Sequence, residues 1–189
     1  RNEFMKKKTF VTLYLPAGDE HLAKDVGQVP FQLSKMFGYQ SFLAGSSFSG
    51  SMHYDTDEFL KVIKLPLIIR SRLMTGVGFL IRESRKIDIL NLYHTNERVL
   101  IHSIVYKLMN PGGKLYIKLD CGLETCDRIE SDRRYRSVFK KCLRMADLIS
   151  VESQAAKKRL ERFGIGQKIK IIPNGFSNAG YEKPKVNEK

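Results

Sequence analysis

The feature that most constrains this chain is a regular exchange between two periodicities. Short runs rich in β-branched and aromatic residues alternate with longer segments whose apolar residues recur every three or four positions. Strands are expected over Phe10–Leu15, Tyr39–Ala44, Phe59–Leu65, Ile87–Leu92, Lys114–Leu119, Asp147–Val151 and Lys168–Ile172. Between them the pattern predicts helices from about Gln28 to Phe37, over Leu67–Lys86, Thr95–Met109 and Ser131–Ala146, and one that Ser153 caps and Gly164 ends. Proline is tolerated only in a first helical turn, so Pro30 sets the first helix start near Gln28. Alternation with short connections predicts an α/β fold. It is a Rossmann-like, doubly wound, mainly parallel sheet of about seven strands with helices on both faces.

A chain of 189 residues has the size of one domain. Arg1–Phe4 precede Met5 and read as a cloning remnant, which leaves residues 5–178 as the domain and the polar stretch 179–189 as a linker or tail. No run of about 18 apolar residues is present to span a bilayer. Met5–Lys8 runs directly into the first strand pattern without a secretory signal, so a cytoplasmic location is expected. Cys121, Cys126 and Cys142 are an odd set with no second Cys/His pair at zinc spacing. They read as reduced thiols, and no metal site is expected. The net charge of +13 favours a polyanionic partner: nucleic acid, an anionic membrane face or a phosphate-bearing substrate.

Ligands of such sheets sit beyond the carboxyl ends of the strands, which directs attention to the loops there. Asp25-Val26-Gly27-Gln28 stands at a helix start, where backbone amides can approach a phosphate, or where Gly27 merely makes the turn. Neither G-x-G-x-x-G nor G-x-x-x-x-G-K-[ST] occurs, so the dinucleotide and triphosphatase fingerprints are absent. His94 follows the fourth strand and can hydrogen-bond a substrate or cap the next helix. Asp120 follows the fifth strand and can orient a hydroxyl or accept its proton, or simply cap its loop. Glu152 has the same choice after the sixth. His102, inside a helix pattern, reads as structural. Lys118 is expected to face away from the cleft.

The last third of the chain carries a resemblance. Ala146-Asp147-Leu148-Ile149-Ser150-Val151-Glu152-Ser153, a capped helix, and Lys168-Ile169-Lys170-Ile171-Ile172-Pro173-Asn174-Gly175-Phe176 resemble the end of the N-terminal domain in GT-B glycosyltransferases of the family-4 type (glycosyl transferases group 1). Asp25-Val26-Gly27 resembles their glycine loop, and Gly38-Tyr39 their turn before the second strand. The resemblance spans Met5 to about Phe176. In two places the chain departs from it: Asp120 stands where many relatives carry His, and Gly27 stands alone where they often have two glycines.

The resemblance implies an acceptor-binding N-terminal domain of a nucleotide-sugar-dependent, retaining, hexosyltransferase-type enzyme of cell-envelope or exopolysaccharide synthesis. The nucleotide-sugar would be a substrate, no cofactor or metal would be needed, and the acceptor would be a glycan or a lipid-linked sugar. The C-terminal donor domain, with its Glu-x7-Glu motif, would then be absent from this chain, which alone should be inactive. It would be either an excised piece of a longer enzyme or half of a split one. On this reading Asp120 and His94 touch the acceptor hydroxyl and Gly27 approaches the donor phosphates. Asp25, Gln28 and Glu152 are further binding candidates, and Asn174 and Gly175 form the turn into an interdomain hinge. Lys61, Lys64, Arg70, Arg72, Arg82, Arg85 and Lys86 punctuate the apolar Leu67–Ile81 stretch, which suggests peripheral contact with the inner membrane face. The alternatives are a non-catalytic recognition subunit of a split transferase, and a nucleic-acid-binding domain using Arg133, Arg134, Arg136, Lys140, Lys141 and Arg144. No zinc-finger or RNA-recognition signature accompanies those bases.

Overall fold

The strand-forming runs pair side by side into one sheet in the computed structural model, which describes residues 7–49, 58–119, 123–162 and 168–172. The strands are β1 (Thr9–Leu13), β2 (Gln40–Gly45), β3 (Leu60–Lys64), β4 (Ile89–Tyr93), β5 (Lys114–Lys118), β6 (Leu148–Val151) and β7 (Ile169–Ile171). All neighbours are parallel and the order is β3-β2-β1-β4-β5-β6-β7. The order reverses between β1 and β4, where Phe10 pairs with Ile89 and Leu13 with Leu92. This is the topological switch point at which open α/β sheets place ligands.

The helices are α1 (Asp25–Phe37), α2 (Arg72–Glu83), α3 (Glu97–Met109), α4 (Leu123–Ser131), α5 (Arg133–Met145) and α6 (Gln154–Glu161). Several start where a short polar side chain accepts an otherwise orphaned amide: Ser71 from Met74, Asn96 from Val99, Asp132 from Tyr135 and Ser153 from Ala156. Gly38 closes α1 in the left-handed conformation, φ 69°.

The two faces are unequal. Right-handed crossovers place α1 on one face and α2 to α6 on the other. The larger core joins Val11, Leu13, Leu90, Leu92, Leu115, Ile117 and Ile149 of the sheet to Phe79 and Leu80 of α2, Val99 and Tyr106 of α3, and Phe139 and Leu143 of α5. The smaller core holds α1 against β2 and β3 through Val26, Leu43 and Leu60, with Leu22, Phe48 and Tyr93. Beside α1 the sheet is open, and a groove of about 580 Å³ is lined by Phe10, Val29, Leu33, Tyr39, Tyr116 and Leu148 among others.

Two expectations are corrected. The first helix begins at Asp25, not Gln28, so Pro30 sits in its second turn. Pro30 gives up one intrahelical hydrogen bond, and its ring is buried there. The segment before Ser131 is helical, not a loop. Apolar residues at Leu123, Cys126 and Ile129 recur every three positions, and Cys126 and Ile129 are buried. From α6, Arg159 clamps this short helix through Asp127 at 2.8 Å and Glu130 at 3.1 Å.

Candidate functional site

The carboxyl edge of the sheet gathers ionic side chains around Lys118, the last residue of β5. Its side chain is 2% exposed. Its Nζ lies 3.0 Å from Asp25 Oδ2, on the first turn of α1, and 3.8 Å from Glu152 Oε1, just after β6. The two carboxylates are partly exposed, at 22% and 30%. The expectation that Lys118 turns away from the cleft is therefore wrong. Side chains alternate along β5, and the face that carries Tyr116 and Lys118 is the one beside α1, as the groove lining shows. An ammonium enters such a face only when carboxylates meet it.

Asp25 also accepts the Val26 amide at Oδ1, 2.9 Å away, so its carboxylate is held from two sides. A negative group suits the positive end of the α1 dipole. Gly27 and Gln28 both donate their amides to the Lys24 carbonyl, at 3.0 and 2.8 Å. A phosphate at this turn would have to displace those bonds. Gly27 is needed by the chain itself: a Cβ there would stand 2.6 Å from the Leu22 backbone. Gln28 pins the preceding loop by donating from Nε2 to the Leu22 carbonyl at 2.9 Å.

His94 stands one strand away. Its amide donates to the Lys118 carbonyl at 2.9 Å, which ties the two loops together. Its φ of 63° is one of two positive values on non-glycine residues among the described residues. Such a conformation is strained for an L-residue and is found at functional turns. The imidazole belongs to an aromatic group centred on Tyr14, whose ring centroid is 5.3 Å from His21, 5.7 Å from Tyr93 and 6.2 Å from His94. Tyr14 was not anticipated. Its signal was its place at the end of the first strand pattern, beside the switch point.

The structural reading of His102 agrees with its surroundings. It is 5% exposed, its Nε2 is 3.3 Å from the Leu73 carbonyl, and Gly76 leaves room for its ring. Burial pushes the imidazole below its usual range, against the opposing hydrogen bond to Leu73. Cys126 and Cys142 are buried free thiols, and burial pushes Cys142 up to about 12. Of the remaining candidates, Asp120, Asn174 and Gly175 lie outside the described residues, as does Cys121. The structure thus joins Asp25 and Glu152 through Lys118 and sets His94 beside them. It gives Gly27 and Gln28 packing roles. No group of three or more metal-ligating side chains occurs among the described residues.

This edge can accept hydrogen bonds from hydroxyl groups through two partly exposed carboxylates that meet one buried ammonium. The aromatic group beside them offers flat apolar surface. Together they suit a polyol such as a sugar.

No known family profile matches the chain, and no curated protein sequence does. Solved structures do. HepE of Anabaena, in complex with UDP-glucose, superposes with a TM-score of 0.62 at 14% identity, covering 89% of this chain and 44% of that one. UDP-GlcNAc 2-epimerase from Neisseria meningitidis, bound to UDP-GlcNAc, gives 0.54 at 13% identity, covering 87% and 46%. A glycosyltransferase from Rickettsia africae gives 0.53 at 11%, covering 89% and 43%. The chain therefore spans less than half the length of these proteins. At such identities the likeness shows the fold: a Rossmann-like domain of the GT-B kind.

Proposed function

We propose that this chain is the acceptor-side half of a nucleotide-sugar-dependent glycosyltransferase that works with a second α/β domain. The observation that carries the reading is the Asp25–Lys118–Glu152 cluster at the carboxyl edge of a GT-B-type domain. Asp25 and Glu152 accept hydrogen bonds from acceptor hydroxyls. Lys118 balances their charge and fixes their direction. His94 and Asp120 complete the acceptor contacts, and Asn174 and Gly175 lead into the hinge. The donor is a nucleotide-sugar held mainly by the second domain, transfer retains configuration, and the product belongs to cell-envelope or exopolysaccharide assembly.

Hydrogen exchange with added ligands tests this. Glycan acceptors are expected to protect the amides of Asp25–Gln28 and His94–Arg98, and Glu152→Gln should weaken their binding about tenfold through the lost charge-assisted hydrogen bonds. Protection of this edge by UDP, with none from sugars, would assign the chain to the donor side instead. Epimerisation of UDP-GlcNAc by the complete protein without an acceptor would replace the transferase reading.

A membrane face is part of the proposal. No helix among the described residues is long and apolar enough to cross a bilayer. Leu67, Ile68, Met74 and Ile81 are nonetheless exposed along α2 and the turn before it, near Arg70, Arg82 and Arg85. A basic surface bearing apolar side chains adsorbs to anionic lipid. Co-sedimentation at low salt is expected with phosphatidylglycerol vesicles and not with phosphatidylcholine vesicles. Equal pelleting with both, or with neither, would remove this part.

A further inference from the structure

A second recess opens at the same edge, between the ends of β1 and β4 and the starts of α2 and α3. It encloses about 210 Å³ and is lined by Tyr14, Arg72, His94, Asn96, Arg98 and His102, with aliphatic residues beneath. Among the described residues no carboxylate lines it. Arg72 and Arg98 are exposed, and among the described residues neither forms an ion pair. Glu97, the acid nearest in sequence, is instead approached by Arg134 at 3.7 Å. Both α2 and α3 begin here, capped by Ser71 and Asn96, and point the positive ends of their dipoles toward the recess. In the same turn as His94 and Asn96, the Thr95 hydroxyl is buried with no hydrogen-bond partner. The His94 amide bonded to the Lys118 carbonyl joins this cationic recess to the carboxylate cluster.

The edge is therefore bipolar. Carboxylates that take hydroxyls stand on one side, and two exposed guanidinium groups, in no ion pair among the described residues, stand on the other, over the switch point. We propose that the recess bounded by Arg72, Arg98 and His94 binds a phosphoryl group carried by the acceptor, which makes the acceptor a phosphorylated sugar. Planar guanidinium groups match phosphate oxygens with paired donors, and none of the described residues lining the recess is a carboxylate that would compete for them. This rests on the acceptor-side reading above.

The test is calorimetric titration of the full chain with glucose 1-phosphate, glucose and UDP. The wild type is compared with Arg72→Gln/Arg98→Gln and with a control of equal charge change, Lys158→Gln/Arg162→Gln, on exposed residues at α6. Urea unfolding establishes that all three are folded. Glucose 1-phosphate is expected to bind more tightly than glucose, and the Arg72/Arg98 variant to weaken it about tenfold or more, with the control unchanged. Glucose binding as tightly as its phosphate, or equal loss in both variants, would overturn phosphoryl recognition. UDP binding with the same dependence on Arg72 and Arg98 would overturn the assignment to the acceptor and give the recess to the donor diphosphate. Failure of phosphate binding leaves the transferase reading standing, because that reading is tested through Asp25–Gln28 protection and Glu152.

Discussion

Asp25→Asn combined with Glu152→Gln is expected to destabilise the domain by about 3–5 kcal/mol, more than removal of Lys118 itself. The reasoning is an asymmetry of burial. Lys118 is 2% exposed, whereas the Asp25 and Glu152 side chains are 22% and 30% exposed. Neutralising the carboxylates leaves a charge buried without either of them. Lys118→Met leaves two carboxylates that water can reach, and it keeps the volume of the buried stem, so its cost should be about 1–2 kcal/mol. The triple variant should return toward the wild type, because a buried ion pair replaced whole by groups of similar size is close to neutral. Urea unfolding midpoints for the three variants decide the matter. If both partial variants fall within about 0.5 kcal/mol of the wild type, the cluster behaves as a surface pair and cannot organise a site.

Gly27→Val is expected to lower stability by about 3 kcal/mol, and Gly27→Ala by nearly as much. A Cβ at this position would meet the Leu22 Cα and carbonyl oxygen at 2.6 Å and the His21 carbonyl oxygen at 2.9 Å. All of these are backbone atoms, so no trimming of the Leu22 side chain relieves the overlap. The loop 18–24 or the first turn of α1 must move. Its movement would break the Gln28–Leu22 hydrogen bond and shift Asp25 away from Lys118. Thermal unfolding of Gly27→Ala is the direct measurement. A melting temperature equal to that of the wild type would mean that the turn yields without cost. Because stability and the ion cluster fail together, loss of activity in Gly27→Val would not by itself locate a phosphate.

Much of the fold was legible because strand and helix periodicities differ and the punctuation between them is chemical. Each predicted strand appears within two residues at either end, and Ser153 caps as expected. The exceptions have local causes. A proline rule treated as absolute shortened α1, whereas Pro30 is accommodated in its second turn with the ring buried. α4 was missed because Glu124, Asp127, Arg128 and Glu130 dilute its apolar stripe and because α6 supplies its anchoring from outside. The site was less legible than the fold. Asp25 and Glu152 were recognisable as acids at the carboxyl edge, but their meeting depends on Lys118, which comes from a third strand. Tyr14, Arg72 and Arg98 come together only once β1 and β4 pair across the switch point, and spacing along the chain does not express that pairing.

The strand order also bears on how the chain is assembled during synthesis. Because every pair is parallel, no two neighbours can close through a tight hairpin. The interior strand β1 leaves the ribosome before the other six strands, yet one of its flanks waits for Ile89–Leu92 to emerge. Until then the nascent chain holds Phe10, Val11 and Leu13 at an unpaired edge, alongside the early β1–β2–β3 unit and α1. Pairing of β4 with β1 covers that edge and forms the switch point, and the new edge that β4 presents then waits in turn for Lys114–Lys118.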